Sequence, residues 1–291
     1  MNRYSVVDLH CHTNHSDGAL SPLELLARAE EQGVELLAVT DHDEVSGVRE
    51  VIAASTNSPV RVISGIELSS VWGGVGIHVV GLNFDLDAPL LGEVLELQRQ
   101  ARDARAQTIA TRLERIGGEG VLAGALAIAR QSRGLSQDAG VRVQLGRPHF
   151  ADYLIASGVV DSREMAFRKY LGAGKPGDVK CHWPTMETVI GWIRALGGTA
   201  VLAHPHHYKM TNTRLRKLLS AFAAAGGEAM EVASGSLPRH KMPWYASLCA
   251  EFGLKASMGS DFHAPLGPWC ELGKLAPLPD GCEPVWGDWA G

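Results

Sequence analysis

The sequence predicts a parallel α/β barrel interrupted by a helical insertion. Three observations carry that expectation. Short apolar strands alternate with amphipathic helices through the first third of the chain, and comparable strands resume only at residue 199. Between these blocks, residues 89–183 read as helix and loop. The barrel is therefore expected from residues 1–88 and 184–291, with 89–183 forming a helical subdomain over its mouth.

Taken in order, residues 5–9 form the first apolar strand, and a helix is expected over 22–31. Ser21 can cap that helix, Pro22 suits its first position, Glu24 completes a capping box and Gly33 lies just past its end. A strand at 35–40, a helix at 45–54 and strands at 60–67 and 76–82 complete a βαβαβ rhythm and its continuation. The insertion opens with a long helical pattern over 90–116 and breaks around Gly134 and 172–177. Strands at 199–203, 229–233 and 255–258 bring the expected total to seven. Residues 265–291, rich in Pro, Gly and Trp without periodicity, read as an irregular tail packed on the barrel.

With 291 residues, 45% of them hydrophobic, the chain can bury a large core. A formal charge of -5 argues against tight binding of duplex DNA, although a local arginine cluster would still hold a small anion. The five cysteines, Cys11, Cys181, Cys249, Cys270 and Cys282, are scattered and never spaced as Cys-x-x-Cys, which excludes a disulfide framework or zinc ribbon. A reducing cytoplasm is the expected compartment. Residues 1–13 lack the apolar core of a signal peptide, and no apolar run approaches the roughly 18 residues of a membrane helix.

Histidines and carboxylates recur where these strands end. Side chains alternate along a strand, so His10 and His12 point together while Cys11 points away into the core. In a parallel barrel the strand ends share a cavity, and His10/His12, Asp41/His42, Glu67, His78, His204 and Asp261/His263 are each expected there. One such histidine is ordinarily a satisfied polar residue. Recurrence after strand after strand points instead to a polynuclear metal site with mixed imidazole and carboxylate ligands. A shared carboxylate such as Glu67 can hold two cations roughly 3.5–4 Å apart, where they lower the pKa of a bound water.

The His10-Cys11-His12-Thr13 opening with Ser16-Asp17-Gly18, together with Thr40-Asp41-His42, Gly65-Ile66-Glu67, Ala203-His204-Pro205 and Ser260-Asp261-Phe262-His263, resembles the polymerase and histidinol phosphatase (PHP) family of phosphoesterases. The resemblance implies a distorted, TIM-like (β/α)7 barrel holding three divalent metal ions. Manganese is the expected ion, with zinc, iron(II) or magnesium also compatible. By motif, His10, His12, Glu67 and Asp261 would serve the first ion, Glu67, His78 and His204 the second, and Asp17, His42 and His263 the third. His15 competes with Asp17 for its place. Asp41 is expected either to orient a ligand imidazole or to cap the helix that follows it.

Substrate choice is left to the insertion. Arg102 and Arg105, with Arg99 extending the same helical stripe, could grip a phosphate, a solvated basic face being the alternative. Arg147 and His149, and separately Lys175, are read as loop entries to helices where an anion would be favoured, and Ser136 could add a hydroxyl. The opening motif, the size of the insertion and Arg147-Pro148-His149 most resemble the branch of bacterial 3',5'-nucleoside bisphosphate phosphatases, related to enzymes that trim short RNA from its 5' end. That implies removal of the 3'-phosphate from adenosine 3',5'-bisphosphate, with a small nucleotide as partner and short oligoribonucleotides as further candidates. His206 is the candidate proton donor to the departing ribose oxygen, with His207 equally placed. Competing expectations are a 5'-3' exoribonuclease, another phosphomonoesterase such as histidinol phosphatase, and a noncatalytic metal-stabilised scaffold.

Overall fold

The computed structural model describes residues 4–136, 140–180, 182–265, 267 and 271–289. Strands β1 (Val7–Asp8), β2 (Leu36–Ala38) and β3 (Arg61–Ile63) form one parallel sheet, linked by helices α1 (Pro22–Glu31) and α2 (Ser46–Ala54). A second sheet runs in the order β4 (Gly65–Trp72), β5 (Val75–Leu82), β6 (Thr199–Leu202), β7 (Ala229–Ser234) and β8 (Lys255–Gly259). Helices α7 (Met186–Ala195), α8 (Asn212–Ala224) and α9 (Met242–Phe252) precede or join its later strands. Residues of β1, β2, β6, β7 and β8 are buried almost throughout, as expected of central strands covered by helices.

Backbone hydrogen bonds join the two sheets at both ends. On one side Leu9 N donates to Met258 O (3.1 Å), Asp261 N to His10 O (2.8 Å) and His12 N to Phe262 O (2.9 Å). On the other, Glu67 N donates to Asp41 O (3.2 Å) and Asp43 N to Glu67 O (2.9 Å). Asp8, fully buried, fastens the first seam by accepting from Ser260 N and Gly273 N, both at 2.9 Å. The irregular tail packs against this edge, with Val285 and Trp286 buried in the main core.

The first helix forms as its sequence dictates, with Ser21 and Glu24 closing a reciprocal capping box and Pro22 at the first turn. The strand count differs from seven. Residues 60–67 do not make one strand: β3 ends at Ile63, and after Ser64 the chain enters β4, which belongs to the other sheet. β4 then runs on to Trp72 and turns through Gly73 and Gly74, both at positive φ, into β5. The β4–β5 and β5–β6 pairs are antiparallel, so the expected all-parallel arrangement fails here. The short turn leaves no room for a crossover helix, and a hairpin is the remaining solution.

Residues between β5 and α7 form α3 (Pro89–Gly117), α4 (Val121–Ser132), α5 (Arg147–Ala156) and the single turn α6 (Arg163–Ala166), which continues into a π-helical turn. Ile109, Leu113, Ala125, Phe150 and Leu154 belong to a second buried cluster, drawn only from residues 106–179. The first turns of α3 belong elsewhere, because Leu91 and Val94 lie in the main core. No helix among the described residues is long and apolar enough to cross a membrane.

At the end of β8, Gly259 lies against His10: a Cβ there would meet His10 Cβ at 2.2 Å and His10 N at 2.7 Å. Gly259→Ala is expected to destabilise the protein by about 1–3 kcal/mol through forced backbone displacement, read as a lowered urea midpoint.

Candidate metal centre

The seams between the sheets deliver the candidate ligands to one place. His10 and His12 follow β1, His42 follows β2, His204 follows β6, and Asp261 and His263 follow β8. Glu67 and His78 depart from the expected strand-end positions, since Glu67 is the third residue of β4 and His78 the fourth of β5. β5 runs against its neighbours, so its N-terminal half lies on the side where parallel strands present their C-terminal ends. His204 and Asp261 adopt positive φ (28° and 56°), a costly conformation for non-glycine residues that recurs at functional sites.

Glu67 stands at the centre. Its Oε1 lies 2.7 Å from His78 Nδ1 and 2.9 Å from His204 Nε2, while Oε2 lies 2.8 Å from His42 Nδ1, 3.4 Å from His10 Nε2 and 3.5 Å from His12 Nε2. Asp261 Oδ1 is 3.3 Å from His12 Nε2 and 3.6 Å from His10 Nε2. Asp17 reaches His263 Nε2 at 3.3 Å and His42 Nε2 at 3.7 Å. Four overlapping groups have ligand atoms close enough to share a cation: His12, Asp17, His42 and His263; His10, Glu67 and His204; His10, His12 and Asp261; His42, Glu67 and His78. His15 is not among them, because its ring turns to Ser46, Glu50 and Arg133.

The donor set fits divalent cations. His10 Nε2, both ring nitrogens of His12, His42 Nδ1, His204 Nδ1, Asp17 Oδ1 and Glu67 Oε2 are buried without a hydrogen-bond partner. Isolated, such atoms cost free energy; converging lone pairs are what a cation requires. Electrostatics agree. Burial would raise the Glu67 carboxyl, but His42, His78 and His10 hold it well below the usual carboxylate range. Asp261 and Asp17 are likewise pulled down against burial by the surrounding imidazoles. Burial opposes charge on His10, yet Glu231 and Glu67 outweigh it and raise its pKa well above the ordinary value. Buried His12, crowded by His263, falls to about 3. Among the described residues no Lys or Arg forms an ion pair with Asp17, Glu67, Glu231 or Asp261.

Several supporting residues escaped the sequence reading. Glu231, buried in β7, accepts from His10 Nδ1 at 2.6 Å and from His204 N at 2.5 Å, aiming the His10 Nε2 lone pair inward. A lone carboxylate inside the apolar run of β7 was its available signal. Asp41 plays neither expected role: it accepts from Thr13 N, Thr13 Oγ1 and Ser16 Oγ, and so shapes the loop that carries Asp17. Val45, not Asp41, stands at the start of α2. Asp43, at φ 53°, accepts from Ser69 N and Ser69 Oγ and pairs with Arg102.

A cleft of ≈ 460 Å³ opens onto the ligands, its other walls including Arg105, Arg147, Lys180, Trp183 and Tyr208. An adjoining pocket of ≈ 140 Å³ brings Arg102, Arg105 and Arg147 together with Asp17 and His42. Trp183 lies 5.3 Å below the guanidinium carbons of both Arg102 and Arg105. Arg105 spends its Nε on Val179 O (2.8 Å), and burial beside Arg147 and Arg102 pushes its pKa down to about 9, which leaves it charged at neutral pH.

The remaining substrate candidates fare differently. Arg99 leaves the arginine stripe for Glu96 and Asp103. His149 accepts from Gly146 N at 3.0 Å and so caps its own helix. Lys175 is exposed in a turn, and among the described residues no helix lies between it and α7. Ser136 is exposed and lines neither the cleft nor the adjoining pocket. His206 Nε2 and His207 Nε2 both lie 2.8 Å from Ser236 Oγ, and burial with His207 and His204 pushes the His206 pKa down to about 3. His207, its neighbour, lines the cleft instead. Replacing Glu231 with Gln is expected to weaken divalent-cation retention about 10- to 100-fold, measured as bound metal after dialysis, with the fold intact by circular dichroism.

Comparison with known proteins agrees with this geometry. Residues 8–119 match the family model described as PHP domain. A 5'-3' exoribonuclease of Haemophilus influenzae is 42% identical over 96% of this chain and 97% of its own length. A 3',5'-nucleoside bisphosphate phosphatase of Chromobacterium violaceum is 40% identical, covering 96% and 95%. The solved structure of an amidohydrolase from Chromobacterium violaceum, with bound sulfate and no metal, superposes with a TM-score of 0.84 at 40% identity, over 97% of this chain and 95% of that one. With these likenesses spanning nearly its whole length and the ligand motifs gathered in one cluster, the chain belongs to the PHP family of metal-dependent phosphoesterases.

Proposed function

We propose that this protein removes the 3'-phosphate from nucleoside 3',5'-bisphosphates, converting adenosine 3',5'-bisphosphate and water to AMP and inorganic phosphate. The observation that carries this reading is the set of three guanidiniums, Arg102, Arg105 and Arg147, beside Asp17 and His42. A substrate with one phosphate at the ligand cluster and a second one a ribose away uses both features. The relative named as a bisphosphate phosphatase supports the same reading.

We assign residues 1–88 and 184–291 to a distorted (β/α)7 barrel and 89–183 to its cap, and we assign the cluster three divalent ions, with manganese the expected metal and the cytoplasm the expected compartment. His10, His12, Glu67 and Asp261 would hold the first ion, Glu67, His78 and His204 the second, and Asp17, His42 and His263 the third. When bound, these ions supply a water of lowered pKa and positive charge at the scissile phosphate.

The chain's own groups do the rest. Arg105 and Arg147 grip the 5'-phosphate, leaving the 3'-ester facing the ligands. Arg102 acts differently from its neighbours, because Asp43 already binds it and its Nη1 donates to Leu145 O at 3.3 Å. It contributes field and rigidity, whereas Arg105 and Arg147 line the cleft and form no ion pair among the described residues, each donating to one backbone carbonyl, Val179 O and Leu171 O. Trp183 braces Arg102 and Arg105 through its ring face.

A second reading, 5'-3' exoribonuclease on short RNA, follows the Haemophilus relative's name. Phosphate release from adenosine 3',5'-bisphosphate, histidinol phosphate and adenosine 3'-monophosphate, with manganese and with chelator, tests the main reading. Release from the bisphosphate is expected to exceed the others and to vanish with chelator; preference for histidinol phosphate would overturn it. Arg105→Ala is expected to lower kcat/KM on the bisphosphate about 10- to 100-fold while changing the 3'-monophosphate far less. Equal losses on both would remove the phosphate grip.

A further inference from the structure

The arginine pocket beside the ligand cluster is small. Its volume of ≈ 140 Å³ is room for about five waters at about 30 Å³ each, enough for one phosphate group and too little for a diphosphate. His42, His78, Arg105, Arg147 and Trp183 line both the pocket and the cleft, so a ligand enters from the cleft side. Away from the cleft, Asp17, Arg102 and Gly146 recur around a gap of only ≈ 10 Å³, at the limit for a single water. A Cβ on Gly146 would already meet Pro148 Cδ at 3.3 Å and Asp17 Oδ2 at 3.7 Å.

Phe167 lines the pocket and not the cleft. It opens a π-helical turn, Phe167–Leu171, an irregularity that recurs at functional sites. Both ends of that turn meet one guanidinium: Arg147 Cζ lies 5.7 Å from the centre of the Phe167 ring, and Arg147 Nη1 donates to Leu171 O at 3.1 Å. Gly172 N closes the turn by donating to Phe167 O at 2.8 Å, and a Cβ at Gly172 would meet that oxygen at 2.6 Å. Phe167 also packs against the second buried cluster, so swinging its ring aside would break that packing and uncover Arg147. Charge sets the same limit as volume. Arg102 is matched by Asp43, which leaves Arg105 and Arg147 to balance a ligand. A terminal phosphate of charge about −2 suits them, whereas a further phosphoryl would press added negative charge against an apolar ring.

We propose that Phe167 is a specificity-determining residue, the wall that admits a single phosphate at the 5' position and rejects nucleoside 3'-phosphates carrying a 5'-diphosphate. The proposal rests on the reading of the arginine pocket as the 5'-phosphate site. Phe167 acts by shape, and the π-helical turn holds it and Arg147 in fixed relation.

The test compares kcat/KM for 3'-phosphate removal from adenosine 3',5'-bisphosphate and from adenosine 3'-phosphate 5'-diphosphate, with AMP and ADP resolved by chromatography. Wild type, Phe167→Ala and Phe167→Leu are measured, and thermal melts show which variants fold; the leucine variant decides if the alanine variant does not. Wild type is expected to favour the bisphosphate by at least about 100-fold. Phe167→Ala is expected to raise kcat/KM on the 5'-diphosphate at least about tenfold, and Phe167→Leu to raise it less. A wild type that treats the two substrates within about threefold, or variants that gain nothing on the 5'-diphosphate, would overturn the wall and leave the phosphatase reading standing. A wild type that releases no phosphate from the bisphosphate would overturn that reading and the wall with it.

Discussion

Four carboxylates, Asp17, Glu67, Glu231 and Asp261, converge on a buried or nearly buried cluster of imidazoles with no lysine or arginine paired to any of them among the described residues. Such an accumulation of negative charge in a low dielectric is unfavourable unless positive charge is brought in. Within the chain the imidazoles are the nearest source, which is why several are drawn toward protonation despite their burial. Divalent cations meet the same demand with better geometry, since they also satisfy the orphaned nitrogens and oxygens. The need for external positive charge explains both the clustering of the ligands and the investment in holding them still.

That investment is made by acids outside the proposed ligand set. Glu231 ties the His10 ring to the backbone at His204, Asp41 folds the loop bearing Asp17, and Asp8 locks the strand ends from which His10 and Asp261 project. Asp43 links the β4 hairpin to Arg102 on α3 and so joins the ligand cluster to the arginine pocket. Ligand placement is thus a property of the seams between the two sheets. The two candidate ligands at positive φ, His204 and Asp261, sit at those strand ends, where the surrounding hydrogen bonds can sustain the strained backbone.

The clustering of the candidate ligands was legible because its chemistry is written in short motifs whose residue types have few other uses in combination. Helices with local punctuation, such as α1 with Ser21 and Glu24, were legible for the same reason. Whatever depended on pairing partners was hidden. Residues 60–67 read as one apolar strand, yet which sheet each half joins is decided by contacts with β2 and β5. Asp41 offered two local roles and took a third, because its partners Thr13 and Ser16 lie in another loop. In the insertion, spacing placed Arg102 and Arg105 on one helical face but carried no information on Asp43 or Trp183, and Lys175 beside Gly174 and Pro176 resembled a helix entry without leading to one. His206 and His207 are adjacent in sequence, and the geometry of the turn after His204 decides which faces the cleft.

Helix α3 begins in one hydrophobic core and ends in another, with Leu91 and Val94 packed among residues of the two sheets and their helices and Ile109 and Leu113 among those of the helical segment. A single unbroken rod rooted in both bodies leaves no hinge at the junction where the chain first departs from the sheets. The helical segment is therefore not a detachable module. Grafting it onto a related scaffold, or trading it for another to change what the enzyme accepts, would require splicing within the helix itself and preserving its rotational phase, because each residue added or removed there would turn the arginine face about 100° away from the catalytic opening.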